Sequence, residues 1–211
     1  MKFKALILLA AIALGASAFT LDDLDSLAIG AKAPKAKMKM NSTTGDMYSL
    51  DDLKKGNGLL VMFSCNTCPF VVGSDRGTEG WEGRYNDLYK ACAARSIGMV
   101  MINSNEAKRD KGDSMEDMIA HAKEAGIQDI PYVIDLKHSV ADAFGAKTTP
   151  HTFLFNADME LVYKGAIDDN VDNASEVEQT WLNDAIVNCS MKKSIEPNIT
   201  KAIGCSIKRV K

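Results

Sequence analysis

Two kinds of hydrophobic pattern succeed each other along this chain. Residues 59–64, 98–103 and 132–135 are short, nearly unbroken apolar runs without a polar alternation. Runs of that length predict strands buried on both faces, as in a parallel sheet. Helical spacing fills the intervals between them. Tyr85, Leu88, Tyr89 and Cys92 fall at i, i+3, i+4 and i+7 within 81–96, which predicts an amphipathic helix. Ser114, followed by Glu116 and Asp117, predicts a capped helix running to about residue 125. Short helices are expected over 49–55, where Ser49 is the cap with Asp51 and Asp52 behind it, and over 138–144. A last helix is expected over 174–188, with Val177, Trp181, Ile186 and Val187 as its apolar positions.

Hairpins flank this core. Residues 37–40 alternate, and Asn41-Ser42-Thr43-Thr44-Gly45 supplies turn chemistry before Asp46-Met47-Tyr48. Near the other end, 151–155 and 160–164 form two strands joined at Asn156-Ala157-Asp158. The order is therefore hairpin, β-α-β-α-β, hairpin, helix. It predicts an α/β fold with a central mixed sheet flanked by helices.

The stretch from 69 to 83 is less regular. Pro69 suits the first turn of a helix, where its missing N–H costs nothing. Gly73, Gly77, Gly80 and Gly83 then interrupt it, each interior glycine costing about 1 kcal/mol relative to alanine. A continuous helix is not expected there.

The N-terminus changes the picture of where the chain works. Lys2 and Lys4 precede an apolar stretch over 5–14, and Gly15-Ala16-Ser17-Ala18 ends in a small-residue cleavage pattern. Residues 1–18 are thus expected to be a signal peptide, giving a periplasmic or secreted mature protein. The stretch is too short to span a bilayer, so no membrane span is expected. Residues 19–35 form an acidic, then Ala/Lys-rich extension expected on the surface. The globular domain is expected over 36–188 and a C-terminal tail over 189–211. The 211-residue chain has a formal net charge of −3, so neither nucleic acid nor an anionic membrane surface is suggested as a partner. The basic residues of the tail are expected to be solvated.

Export gives the five cysteines their weight, because disulfides persist outside the cytosol. Cys65-Asn66-Thr67-Cys68 ends the first buried strand and opens a helix. There, unpaired N–H groups and the positive dipole end favour a thiolate. A C-x-x-C at a strand-to-helix junction within a βαβ pattern points to thiol–disulfide chemistry. Half of a zinc site has the same spacing, but no second ligand pair follows, so no metal and no cofactor is expected. A structural disulfide is the plainer alternative. Cys92 lies on an apolar helical stripe and is expected to be a buried free thiol. Cys189 and Cys205 allow two readings. They can pair with each other, or Cys205 can fold back to the site, and spacing does not choose between them.

Thr148-Thr149-Pro150 before an apolar strand, in a chain that already carries an exported C-x-x-C, resembles the thioredoxin-like superfamily. The closer resemblance is to its redoxin branch, related to alkyl hydroperoxide reductase and thiol-specific antioxidant proteins. It rests on Cys-Asn-Thr-Cys-Pro-Phe (65–70), Ile-Asn-Ser-Asn (102–105), Thr-Pro-His-Thr-Phe-Leu-Phe (149–155), Gly-Ala-Ile-Asp-Asp-Asn (165–170) and Gly-Cys-Ser-Ile-Lys (204–208). The resemblance implies a thioredoxin-like fold and a thiol–disulfide oxidoreductase, with a thiol-dependent peroxidase or a non-catalytic binding module on the same fold as the alternatives. Cys65 would be the attacking thiolate and Cys68 the resolving thiol. Thr149 and Pro150, joined by a cis bond, would form a platform for a substrate segment. Asn66, Thr67 and Cys205 are accessory candidates. The implied partners are protein disulfides or thiols and a redox partner that the sequence does not name.

Departures from the family pattern carry information of their own. Ser64 stands where thioredoxins carry Trp, and residues 59–64 hold no carboxylate to accept the Cys68 proton. The residues before Cys65 also lack the Pro and Thr with which two-cysteine peroxiredoxins hold peroxide, which weighs against a dedicated peroxidase. His151 is expected to be structural, and His121 and His138 to lie on the surface. Thr67 occupies the position where relatives often carry His. Thr offers one hydroxyl, whereas an imidazolium would stabilise the reduced thiolate and raise the reduction potential. A Thr67→His variant is therefore expected to have a higher potential than the parent in a glutathione redox titration; an unchanged or lower value would contradict this.

Overall fold

The computed structural model describes residues 26–211, so the signal peptide expected at 1–18 and the start of the extension lie outside the described residues. Continuous apolar runs become the centre of a five-stranded sheet. β1 (Met40–Asn41) and β2 (Met47–Tyr48) form the expected hairpin and lead into α1 (Leu50–Leu53). β3 (Gly58–Phe63) is followed by α2 (Pro69–Val72), α3 (Tyr85–Ala93), β4 (Ile97–Asn103), α4 (Met115–Glu124) and β5 (Tyr132–Ile134). α5 (Ser139–Phe144), β6 (Thr148–Thr149), β7 (His151–Phe155), β8 (Leu161–Gly165), α6 (Trp181–Ser190) and β9 (Cys205–Ser206) complete the order. The large sheet runs β5-β4-β3-β7-β8, with β3, β4 and β5 parallel and β7 and β8 antiparallel. β3 sits at its centre, paired on both edges, and every residue in it is buried.

Strand pleating sends alternate side chains of β3 to two apolar layers. Leu60 and Met62 join a layer with Tyr85, Leu88, Cys92, Met118, Leu182 and Ile186 from the helices. Leu59, Val61 and Phe63 join the other layer, with Val140, Phe144, Phe153 and Phe155. There Phe144 packs edge-to-face on Phe63, Phe153 and Phe155, with ring centroids 5.3–5.7 Å apart. Each such pair adds about 0.5–1.5 kcal/mol beyond its buried area. Both helix-start signals are realised as capping boxes: Ser49 with Asp52, and Ser114 with Asp117.

Three segments gain detail from the structure, and one of them, the last helix, differs from its expected bounds. The described residues of the lead-in lie at the surface, none of them fully buried, and are docked on the core. Leu27, Ile29 and Ala33 pack on the second layer, and the Leu27 N–H donates to the Phe144 carbonyl at 2.9 Å. Their few apolar side chains had no visible periodicity, but they find an uncovered strip of core. The last helix begins at Trp181 instead of 174. Asn173 caps a single 3₁₀ turn over Ala174–Glu176, Val177 is extended, and the Glu178 N–H is held by Asp169 at 3.1 Å. The segment after α2 closes back over that helix. Gly80 has φ +79°, and a Cβ there would meet the Gly73 nitrogen and the Val71 carbonyl oxygen at 2.4 Å. Only glycine permits this crossing. Among the described residues no helix is long and apolar enough to cross a membrane.

His151 lies opposite Phe63 in the β3–β7 register and stacks on Phe153, ring centroids 4.4 Å apart. It therefore belongs to the Phe layer, away from the layer that holds Cys65 and Cys68. Burial, reinforced by Lys164 and Lys147, lowers its pKa from 6.5 to about 3. Between those two values the unfolded chain binds a proton that the folded chain refuses. Stability is full above pH 6.5 and is lost on acidification, at up to about 1.4 kcal/mol per pH unit from this group. A His151→Phe variant is expected to show a shallower loss of stability between pH 6.5 and 4 in denaturant titrations; an unchanged slope would refute this assignment.

Candidate thiol site

The site is built where β3 ends. The Ser64 N–H still bonds to the Ile102 carbonyl at 2.9 Å, after which residues 65–68 leave the sheet. Cys68 is the N-cap of α2 with an extended backbone, and Pro69 is its first residue. This helix has one turn, so its end supplies a much weaker field than the sequence suggested. Both sulfurs are turned inward, with Cys65 1% and Cys68 2% exposed. Both thiols are therefore covered.

What covers them is the loop before β7 and the C-terminal tail. Thr149-Pro150 is a cis peptide, as the resemblance implied. The Thr149 hydroxyl lies 3.2 Å from Cys65 Sγ, and the Cys68 thiol donates to the Thr149 carbonyl at 3.1 Å. β9 pairs antiparallel with β6, setting Thr148 opposite Ser206 and Thr149 opposite Cys205. The edge assigned to a substrate segment is therefore occupied by the chain's own residues. Gly204 makes this possible, since a Cβ on it would stand 2.2 Å from the Thr149 carbonyl oxygen. Of the two readings for the tail cysteines, the structure has the folded-back one. The Cys205 N–H donates to Cys68 Sγ at 3.4 Å, while Cys189 points to the Asn57 carbonyl.

The tail residues are not simply solvated. The Lys208 N–H donates to Asn105 Oδ1 at 2.9 Å, and Arg209 Nε pairs with Asp142 at 2.7 Å. Ile207 is buried in the Phe layer.

Beneath the C-x-x-C lies a carboxylate that sequence reasoning missed. Asp113 is fully buried and accepts from four groups. These are the Asn66 N–H at 2.9 Å, the Thr67 hydroxyl at 3.0 Å, Asn103 Nδ2 at 2.8 Å and Asn105 Nδ2 at 3.0 Å. Asn66 is held further by Gly112 and the Tyr132 hydroxyl, each at 2.9 Å. Asn103 and Asn105 belong to the quoted Ile-Asn-Ser-Asn motif, so half of this cradle was visible in sequence. Asp113 itself lies between the polar stretch 105–112 and the Ser114 cap, where no periodicity marks it. It accounts for Thr67: the hydroxyl donates to a carboxylate rather than to a sulfur. A second acidic tie lies beyond α2. Asp168 accepts from Trp81 Nε1 at 2.7 Å and pairs with Arg84 at 2.6 Å, joining the Gly-Ala-Ile-Asp-Asp-Asn motif to the glycine-rich crossing.

Electrostatics follow from these contacts. The hydrogen bond from Cys65 stabilises a Cys68 thiolate, burial opposes it, and donors from Cys205 and Thr149 add support; together they bring Cys68 to about 5. The same bond to Cys68, with burial and the nearby Asp113 charge, holds Cys65 well above the ordinary thiol value. The hydrogen bond between the two sulfurs favours a single thiolate in the reduced pair, and burial disfavours a second. Burial pushes Cys92 to about 12 and Cys189 to about 11, which makes both poor nucleophiles. Cys92 is the buried free thiol that its helical position predicted. His121 is half-buried against Glu82 at 2.6 Å, and His138 bonds to Asp142 at 2.7 Å, so neither is a bare surface residue. Among the described residues no His, Cys, Asp or Glu cluster is arranged to hold a metal.

The sequence profile of the AhpC/TSA family matches residues 29–164, which includes the C-x-x-C and the cis-Pro loop. The chain belongs to the AhpC/TSA family. Among solved structures, it is similar to a hypothetical protein from Sinorhizobium meliloti 1021 (30% identity, TM-score 0.76, 88% of this chain and 96% of that one). An uncharacterized conserved protein from Geobacillus kaustophilus is similar to the same degree (29%, TM-score 0.76, 87% and 93%). The thioredoxin domain of a thiol-disulfide oxidoreductase from Bacteroides vulgatus shares the fold (22%, TM-score 0.54, 72% and 97%). No curated protein sequence matches the chain. The family match ends at 164, before the tail that carries Cys205.

Asp113 turns this into a test of the AhpC/TSA site. An Asp113→Asn variant puts an amide donor against donors and removes a negative charge near Cys65. It is expected to lose about 2–3 kcal/mol of stability in chemical denaturation. Its Cys65 thiol should titrate lower than the parent's when thiolate absorbance is followed against pH. Retention of both parent values would show that Asp113 does not hold the site.

Proposed function

We propose that this protein is an exported thiol–disulfide oxidoreductase that exchanges disulfides with protein substrates through Cys65 and Cys68. The observation that carries this reading is the convergence of the Thr149 hydroxyl, the Thr149 carbonyl and the Cys205 amide on two adjacent sulfurs. A pair packed this closely suits an interconvertible dithiol and disulfide. The stabilised Cys68 thiolate makes Cys68 a good leaving group when the bond is broken. In the proposed assignment Cys65 and Cys68 carry the redox change, Thr149 and Pro150 line the sulfurs, and Asn66 and Thr67 tie the loop to Asp113. Export rests on the Lys-apolar-small order of residues 1–18.

Hydroperoxide reduction is the second reading, favoured by the AhpC/TSA match. Two features weigh against it as the main activity. Residues 45–64, which lead into Cys65, hold no Pro or Thr to bind a peroxide, and the Cys65 thiol is pushed up rather than down. Reduction of insulin disulfides with dithiothreitol as donor separates the two. The parent is expected to accelerate insulin precipitation, the Cys68→Ser variant to fall to the uncatalysed rate, and peroxide consumption to stay near background. A Cys68→Ser variant as active as the parent would refute the thiol site, and fast peroxide consumption would favour the second reading.

A further inference from the structure

The structure leaves an access problem. Cys65 and Cys68 are almost fully covered, and the strand that covers them is the chain's own. Within this group of thiols only Cys205 is partly exposed. Its thiol and its amide both hydrogen-bond to Cys68. Nor is this a chance visit of a loose terminus. Upstream, the Thr200 hydroxyl bonds to the Tyr163 hydroxyl at 2.7 Å and accepts from the Ala166 N–H at 2.9 Å. Downstream, the Ile207 N–H donates to the Lys147 carbonyl at 2.9 Å, Lys208 exchanges backbone and side-chain bonds with Ala107 and Asn105, and Arg209 is paired with Asp142. Cys205 is thus held against Cys68 from both sides.

We infer that Cys205 is a third redox cysteine, and that the site holds one disulfide in two isomeric forms, an inner Cys65–Cys68 bond and an outer Cys68–Cys205 bond. This deepens the oxidoreductase reading and rests on it. Interconversion needs no external oxidant. Burial and the neighbouring Cys68 raise the Cys205 thiol to about 11, so it keeps its proton until it attacks. Cys205 then attacks Cys68 Sγ; the Cys68–Cys205 bond forms, the Cys65–Cys68 bond breaks, and the Cys205 proton passes to the departing Cys65. The outer bond then meets the substrate. A protein thiolate attacks the accessible Cys205 sulfur, and Cys68 departs as its stabilised thiolate. A second substrate thiolate attacks the substrate sulfur of this mixed disulfide and releases Cys205, which is protonated. Net, the substrate dithiol becomes a disulfide and Cys68 and Cys205 become thiols. The reverse sequence reduces a substrate disulfide.

Disulfide mapping after rapid acid quenching and alkylation tests this. In a Cys65→Ser variant treated with oxidised glutathione, the expected product is a Cys68–Cys205 bridge. Separate glutathione adducts on Cys68 and Cys205, without a bridge, would overturn the inference. Partially oxidised parent protein gives the same test without a substitution, since both the inner and the outer bond should be trapped. Parent protein that forms Cys65–Cys68 but never Cys68–Cys205 overturns the third cysteine and leaves the two-cysteine site standing. Parent that never forms Cys65–Cys68 overturns both. A Cys205→Ser variant should still form the inner bond, yet reduce insulin at least about tenfold more slowly; the parent rate would count against the outer route.

Discussion

Buried polar groups must find partners, and that single requirement organises this protein around its thiols. Leaving a buried polar group unsatisfied costs on the order of 1–3 kcal/mol, and more when it is charged. Asp113 meets the requirement by accepting from four donors contributed by the C-x-x-C loop and by the end of β4. The two sulfurs meet it through Thr149 and through the amide of Cys205. Each solution draws on a segment far away in sequence. Positioning the thiols is therefore inseparable from closing the fold.

The same requirement explains why the tail is integral. Thr148 and Thr149 form a short strand with an edge beside the sulfurs. An open edge presents unpaired backbone groups to any extended segment. β9 fills that edge, Ile207 enters the apolar layer, and Asp142 and Asn105 fasten the residues that follow. The loop before the cis-Pro strand faces the chain's own Gly204-Cys205-Ser206, so the thiols are rimmed by the tail.

Charge placement follows from packing as well. A C-x-x-C at a helix start suggests that the helix end activates the first thiol. α2 is a single turn, and the donors that matter come from Cys65, Cys205 and Thr149. They converge on the second sulfur. Asp113, lying under the first, adds a negative charge that discourages ionisation there. The two residues between the cysteines act on the pair chiefly by tying it to Asp113, and the Thr67 backbone also helps stabilise Cys65.

Much of this was legible along the chain. The unbroken apolar runs gave β3, β4 and β5, because a strand buried on both faces has no polar alternation to show. Ser49 and Ser114 marked their helix starts, since a cap is a local hydrogen bond within a few residues. Cys65, Cys68, Thr149 and Pro150 stood out through a resemblance to thioredoxin-like proteins, and they do meet. The partnership of Asp113 with Asn66 and Thr67 was not legible, nor was the place of Cys205. A carboxylate in a loop and a cysteine in a tail have no periodicity, and 47 residues separate Asn66 from Asp113. The sequence by itself determined the central strands, most of the helices and the placing of the C-x-x-C at the end of β3. Only the tertiary structure decided that both thiols are covered, that Thr149 lies against both of them and that Cys205 is their neighbour. Those outcomes depend on hydrogen bonds between segments that become adjacent only once the sheet has formed.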